Sequence, residues 1–306
     1  VDPIRWTRRP ALRHPVLILA FEGWNDAADA ASGAVTFLAR SVGARAVGHL
    51  DPEEFYDFTT VRPEVRPTNR IGRRIRWPRV RIAAARLPDA HRDALLVWGP
   101  EPQLRWRTFS ASLLGLAREL EVEMVVELGA MLADVAHSRP VRVTGSAPTR
   151  ELTKSLGLLR SRYEGPTGIL GVLGDTFDQA GIPTVSLWAN VPHYVPQGPS
   201  PKATLALVGR VAELLGISPN TLELELAAAA YERQVNELVA ADDEVAAYVG
   251  HLEDDPDDDA DELDADRDEA DDGDRPRLSE PHPADLERLT SEVERFLRRQ
   301  SGDGGA

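Results

Sequence analysis

The sequence predicts an α/β fold: a mixed, mainly parallel sheet flanked by helices, followed by a small helical subdomain. Two observations carry that expectation. Short apolar runs rich in Val, Ile and Leu, bounded by Gly, Pro or charge, alternate with stretches of helical period. Strands that alternate with helices in this way form a sheet covered on both faces. After Gly216 the runs stop and only helical patterns remain.

The strands are expected at Val16 to Phe21, Ala44 to Leu50, Val80 to Ala84, Ala94 to Trp98, Met124 to Leu128, Val141 to Ser146 and Thr184 to Ala189. Asp26 to Arg40 is Ala-rich and begins at a residue type suited to capping a helix. Trp106 to Glu121 sets Phe109, Leu113, Leu116 and Leu120 on one face. Thr167 to Ala180 is a helix ended by Gly181-Ile-Pro183, and Lys202 to Leu215 one ended by Gly216. Arg62 to Pro78, dense in Pro and Arg, breaks the rhythm and is expected as an excursion or hairpin. The resulting organisation is an α/β core over 1–217, a helical subdomain over 218–252, an acidic disordered linker over 253–282 and an amphipathic helix over 283–299.

Composition excludes several classes. The chain of 306 residues carries a net charge of −15. Residues 253–274 hold fifteen acids and one Arg, so the remainder is close to neutral and offers no basic stripe for nucleic acid. There is no cysteine, hence no disulfide, no Cys-bound metal and no thiol nucleophile. No apolar run reaches the length of a membrane span, and the N-terminal residues lack the order of a secretory signal, so a cytoplasmic location is expected. The hydrolase elbow, the zinc-protease pair and the dinucleotide fingerprint are all missing, and the two lysines, Lys154 and Lys202, do not sit in a phosphate-binding loop. No cofactor or metal is expected.

In parallel sheets, ligands lie beyond the carboxyl ends of the strands. The candidates there are Glu22, Gly23, Trp24, Asn25 and Asp26 after the first strand; Glu101 between prolines; Glu127 and Gly129 in the strand Met124 to Leu128; and Thr167 and Gly168 at a helix start. His193 and Tyr194 follow the last strand, and His137 is the other histidine expected to line a cleft. Glu22, Asn25, Glu101 and His193 are expected to converge. Each residue has a plain structural reading as well: a turn, a cap, a paired buried acid or a surface histidine.

Phe21-Glu-Gly-Trp-Asn-Asp26, Trp98-Gly-Pro-Glu-Pro102, Leu128-Gly-Ala-Met131, Ser138-Arg-Pro140, Gly165-Pro-Thr-Gly168 and Val191-Pro-His-Tyr-Val195 together resemble the PAC2 family of proteasome assembly chaperones, over about residues 12–250. Tyr231 to Leu252 is similar to its actinobacterial branch. The resemblance implies a fold similar to purine nucleoside phosphorylases, a homo-oligomer with a trimer favoured, and a proteasome-related protein partner. It leaves two functions open: a chaperone-like interaction protein, or a phosphorylase-like enzyme or small-ligand binder at the strand ends. Family chaperones can dock through a C-terminal hydrophobic-Tyr-any tail; the sequence ends Ser301-Gly-Asp-Gly-Gly-Ala306, so a chaperone role requires another surface, such as the acidic linker and the last helix.

Overall fold

The computed structural model describes residues 3–67, 72–158, 165–195 and 198–254. The chain divides into two units, Val1–Asp258 and Asp259–Ala306, and every element below belongs to the first. The expected acidic linker from residue 255 onward, the expected helix at 283–299, and Tyr163 and Glu164 lie outside the described residues.

The described residues contain ten strands: β1 (Ile4–Trp6), β2 (Val16–Glu22), β3 (Arg45–Leu50), β4 (Glu64–Pro67), β5 (Arg73–Arg76), β6 (Arg81–Ala85), β7 (Ala94–Pro100), β8 (Met124–Ala133), β9 (Val143–Ser146) and β10 (Thr184–Pro192). The helices are α1 (Ala30–Ser41), α2 (Trp106–Glu119), α3 (Arg150–Ser155), α4 (Ile169–Gln179), α5 (Pro201–Leu215), α6 (Leu222–Ala240) and α7 (Asp243–Asp254). Eight strands form one sheet in the order β1-β3-β6-β7-β2-β8-β10-β9, and β4 and β5 form a separate hairpin within the Arg62 to Pro78 excursion. The central strands β7, β2, β8 and β10 are mutually parallel. Both flanks are antiparallel. Residues 86–93, between β6 and β7, are too few for the crossover a parallel pair needs.

The apolar runs sort by alternation onto two cores. Val16, Ile18 and Ala20 of β2 join the core beneath α1 and α5. Leu17, Leu19 and Phe21 join the core beneath α2 and α4, where Phe109 packs edge-on against both Phe21 and Phe55. Strands buried on both faces need no polar alternation, which is why they read as continuous apolar runs. Helix α6 packs on α5, and α7 on α6. Residues 218–254 contain these two helices and no strand. No helix among the described residues is long and apolar enough to cross a membrane.

Candidate functional site

The end of β2 turns at Gly23, whose φ of +110° disfavours residues with a side chain. The turn exposes Trp24, leaves Asn25 fully buried, and brings the Asp26 N–H to the Gly23 carbonyl at 3.0 Å. Ala28 and Asp29 then adopt left-handed conformations, with φ of 52° and 51°. This bend lets Asp26 Oδ1 accept from the N–H groups of Ala31 (2.7 Å) and Ser32 (3.2 Å), capping α1 from outside the helix. Burial pushes the Asp26 carboxyl up despite those hydrogen bonds. Glu22 is also raised, by desolvation first; Arg81 and Arg76 counter it, while Asp26 and Asp29 add to it.

Asn25 and Glu101 meet beyond the strand ends. Asn25 Nδ2 donates to Glu101 Oε1 at 2.7 Å, and the same oxygen accepts from the N–H of Ile169 at 2.8 Å, at the first turn of α4. A carboxylate is favourable at that position because the free N–H groups of a helix start carry partial positive charge. Gly168 lies so close that a Cβ there would stand 2.2 Å from Asn25 Oδ1. Thr167 precedes it, its hydroxyl directed at the Gly168 carbonyl at 3.5 Å. The Asn25 carbonyl accepts from Ala130, tying the loop to β8, and Glu101 N–H donates to the Glu22 carbonyl at 3.0 Å.

Two further candidates of β8 face α4. Gly129 leaves room for the indole of Trp188, which a Cβ at that position would meet at 2.5 Å. Glu127 is buried, Oε1 has no hydrogen-bond partner, and a Cβ on Gly174 of α4 would lie 3.1 Å from Oε2. With no cation beside it, burial pushes its carboxyl up to about 8.

His137, His193 and Tyr194 form a second cluster, at the ends of β8 and β10. The Tyr194 hydroxyl lies 2.8 Å from both the backbone N and Nδ1 of His137, and His137 Nε2 lies 2.9 Å from Asn236 Oδ1 on α6. All these groups are satisfied when Nε2 carries the imidazole proton and the tyrosine donates to Nδ1. Lys202 Nζ donates to the His137 carbonyl at 2.5 Å and to Glu232 at 2.6 Å. His193 Nδ1 and the Tyr248 hydroxyl both reach Asp134 Oδ1, at 3.1 and 2.9 Å, and the rings of His193, Tyr194 and Tyr248 pack edge to face. Burial first raises Tyr194, to about 12. This cluster fastens α6 and α7 to the sheet.

The family model of PAC2 matches residues 20–239. The chain belongs to the PAC2 family. Among solved structures, this PAC2 chain is 46% identical to a proteasome-assembly chaperone homologue of Mycobacterium tuberculosis, with a TM-score of 0.70 over 76% of this chain and 99% of that one. It is also 46% identical to a PAC2 family protein of Streptomyces avermitilis, with a TM-score of 0.70 over 77% of this chain and 99% of that one. Both relatives agree with the actinobacterial branch that the motifs suggested. An archaeal proteasome activator of Pyrococcus furiosus shares the fold at 17% identity, with a TM-score of 0.61 over 77% of this chain and 97% of that one. No curated protein matches.

The structure thus brings Glu22, Asn25, Glu101 and Gly168 together and places His193 in a different set of contacts. The pairings of Asp134, Lys202, Asn236 and Tyr248 are not legible in the sequence, because their partners are distant in the chain and no spacing announces them. Among the described residues, no group of three or more His, Cys, Asp or Glu side chains could hold a metal ion.

Proposed function

We propose that this PAC2 chain is a proteasome-assembly-chaperone-like interaction protein, binding proteasome subunits through the strand-end edge of its sheet. The observation that carries this reading is the 46% identity to the mycobacterial assembly-chaperone homologue over nearly all of that protein. The geometry of the strand ends supports it. Asn25, Glu101 and Gly168 contact one another at the strand ends, so these groups are engaged within the protein, which disfavours the phosphorylase-like or ligand-binding alternative. On the same edge, Trp24, Leu104 and Leu132 are 61%, 47% and 62% exposed, large apolar side chains suited to a protein contact. Glu22, Gly23, Asp26, Glu101, Glu127, Gly129, Thr167 and Gly168 then serve as the rigid base that presents them. His137, His193 and Tyr194 hold the helical subdomain beside that surface. A homo-oligomer, with a trimer favoured, completes the reading.

The test is to follow assembly of purified proteasome subunits with and without the chain, alongside a Trp24→Ser/Leu132→Ser variant. Faster assembly by the natural chain and none by the variant is expected. Unchanged assembly together with phosphate-dependent cleavage of a nucleoside would replace this reading with the enzymatic one. Light scattering that gives 33.5 kDa across micromolar concentrations would remove the oligomer.

A further inference from the structure

A basic groove runs along the β4–β5 hairpin, and its smaller part reaches the ends of β2 and β7 at Glu22 and Pro100. Its larger part has a volume of about 570 Å³ and carries Arg66, Arg74, Arg76, Arg79, His49 and Trp77 on its walls. A neighbouring cavity of about 300 Å³ shares Arg76, Trp77 and Arg79 and adds Arg62 and Arg81. The acids facing these spaces are Asp51, Glu53, Glu64 and Glu22. Two of them are already engaged: Asp51 with Arg5 at 2.9 Å, and Glu64 with Arg66 at 2.6 Å. Among the described residues, no ion pair engages Arg74, Arg76 or Arg79, and all three are exposed. Their field is felt by their neighbours. Burial is the larger cause that lowers Arg81 and His49, but Arg76 and Arg79 push Arg81 down as well, and Arg79 does the same to His49.

The hairpin itself is an unpartnered strand edge. Among the described residues β4 and β5 pair only with each other, and every residue of both is exposed. β4 ends in Pro67, which has no N–H to donate, so β5 offers the better edge for another strand. Arg66 stands opposite Arg74, and Arg74 and Arg76 share one face because side chains alternate along a strand. Along that strand, two guanidiniums two residues apart match the carboxylates of an extended peptide with acids at every second position.

We propose that this groove binds an extended acidic segment of a partner protein, added as a strand along β5 with its carboxylates against Arg74, Arg76 and Arg79. A polypeptide fits better than a nucleic acid. A phosphate backbone carries charge at every nucleotide and would meet Glu53 and Glu22, whereas a peptide can set uncharged residues opposite them. Ile75 and Trp77 offer apolar contact to those uncharged positions. This inference does not rest on a proteasomal role, since Arg74, Arg76 and Arg79 are not among the residues of the proposed strand-end contact and the probe contains no proteasome subunit.

The test uses the full chain and a fluorescein-labelled decapeptide of alternating Glu and Val, with a ten-nucleotide oligo(dT) as the rival probe. Fluorescence anisotropy is expected to show peptide binding that weakens with added salt and falls tenfold or more in Arg74→Glu/Arg76→Glu. Arg118→Glu, an equal change per site on the exposed face of α2, is expected to leave it within twofold. Arg79→Gln, which reverses no charge, is expected to weaken binding about threefold with an unchanged circular dichroism spectrum. Peptide binding is expected to slow hydrogen exchange at residues 73–76. The proposal is overturned if the peptide does not bind at millimolar concentration, if Arg118→Glu weakens it as much as the hairpin variants do, or if exchange at 73–76 is unchanged on binding. Tighter binding of oligo(dT), lost in the same variants, would assign the groove to nucleic acid instead.

Discussion

Replacing Glu127 by Gln should stabilise the protein at neutral pH and leave it nearly unchanged in acid. The side chain is buried on β8 against α4, Oε1 lacks a partner, and burial alone raises its carboxyl to about 8, against 4.5 for a solvated glutamate. The folded state therefore retains a proton that the unfolded chain releases between those two values. Stability from this group is whole below about pH 4.5 and is lost progressively as pH rises through about 8. A gap of about 3.5 units at 1.36 kcal/mol each makes the full loss about 5 kcal/mol, of which about 2 to 3 kcal/mol falls between pH 5 and pH 7. Glutamine has nearly the same shape and no charge to desolvate. Urea denaturation of both proteins at pH 5, 6, 7 and 8 isolates the group, because the raised Glu22 and Asp26 occur in both and cancel in the difference. The stability difference should grow in favour of the glutamine variant by about 2 to 3 kcal/mol from pH 5 to pH 7. A difference that stays constant within about 0.5 kcal/mol would mean that Glu127 is ionised and paired in the native protein, and the reasoning would fail.

Substitutions at four other positions test the packing of the two clusters. Gly168→Ala should cost about 1 to 3 kcal/mol, because φ is −90° and alanine suits that backbone, so only the collision with Asn25 Oδ1 is being measured; adding Asn25→Ala should return part of the loss in a double-mutant cycle. Glu101→Ala should cost about 1 to 3 kcal/mol by stranding Asn25 Nδ2 and the Ile169 N–H, whereas Glu101→Gln keeps an acceptor and should cost less, as chemical denaturation will show. Lys202→Met removes the donor to both the His137 carbonyl and Glu232, and hydrogen exchange should accelerate in α6 before it does in the sheet.

The central strands and the four helices that cover the sheet were legible because burial on both faces leaves continuous apolar runs, and burial on one face leaves a 3.6-residue stripe. β1 was not, since Ile4–Trp6 is short and is a strand only by pairing with β3. The α3 helix, Arg150–Ser155, is likewise short and has no buried stripe to announce it. The antiparallel flanks were hidden for a similar reason: strand direction is set by the length of connection, not by the pattern within the strand. At the candidate site, local chemistry could be read and distant pairing could not. Gly23 and the capping role of Asp26 follow from turn and helix rules. Glu101, which the sequence shows only as an acid between two prolines, caps a helix that begins 68 residues later in the chain. His193 was grouped with Glu22 because both follow strands, yet Asp134 and Tyr248 hold it. Arginine density was visible between Arg62 and Pro78, but the near-neutral average of the folded part concealed that the hairpin gathers that charge into one groove.

The most direct measurement is native mass spectrometry of the chain mixed with unassembled proteasome α subunits, with Trp24→Ser/Leu132→Ser as the comparison. The account predicts a complex of defined stoichiometry that the natural chain forms at micromolar concentration and the variant does not. An absence of any complex at tens of micromolar, or a complex that the variant forms equally well, would contradict the claim that this PAC2 chain works by presenting the exposed residues of its strand-end edge to a proteasomal partner.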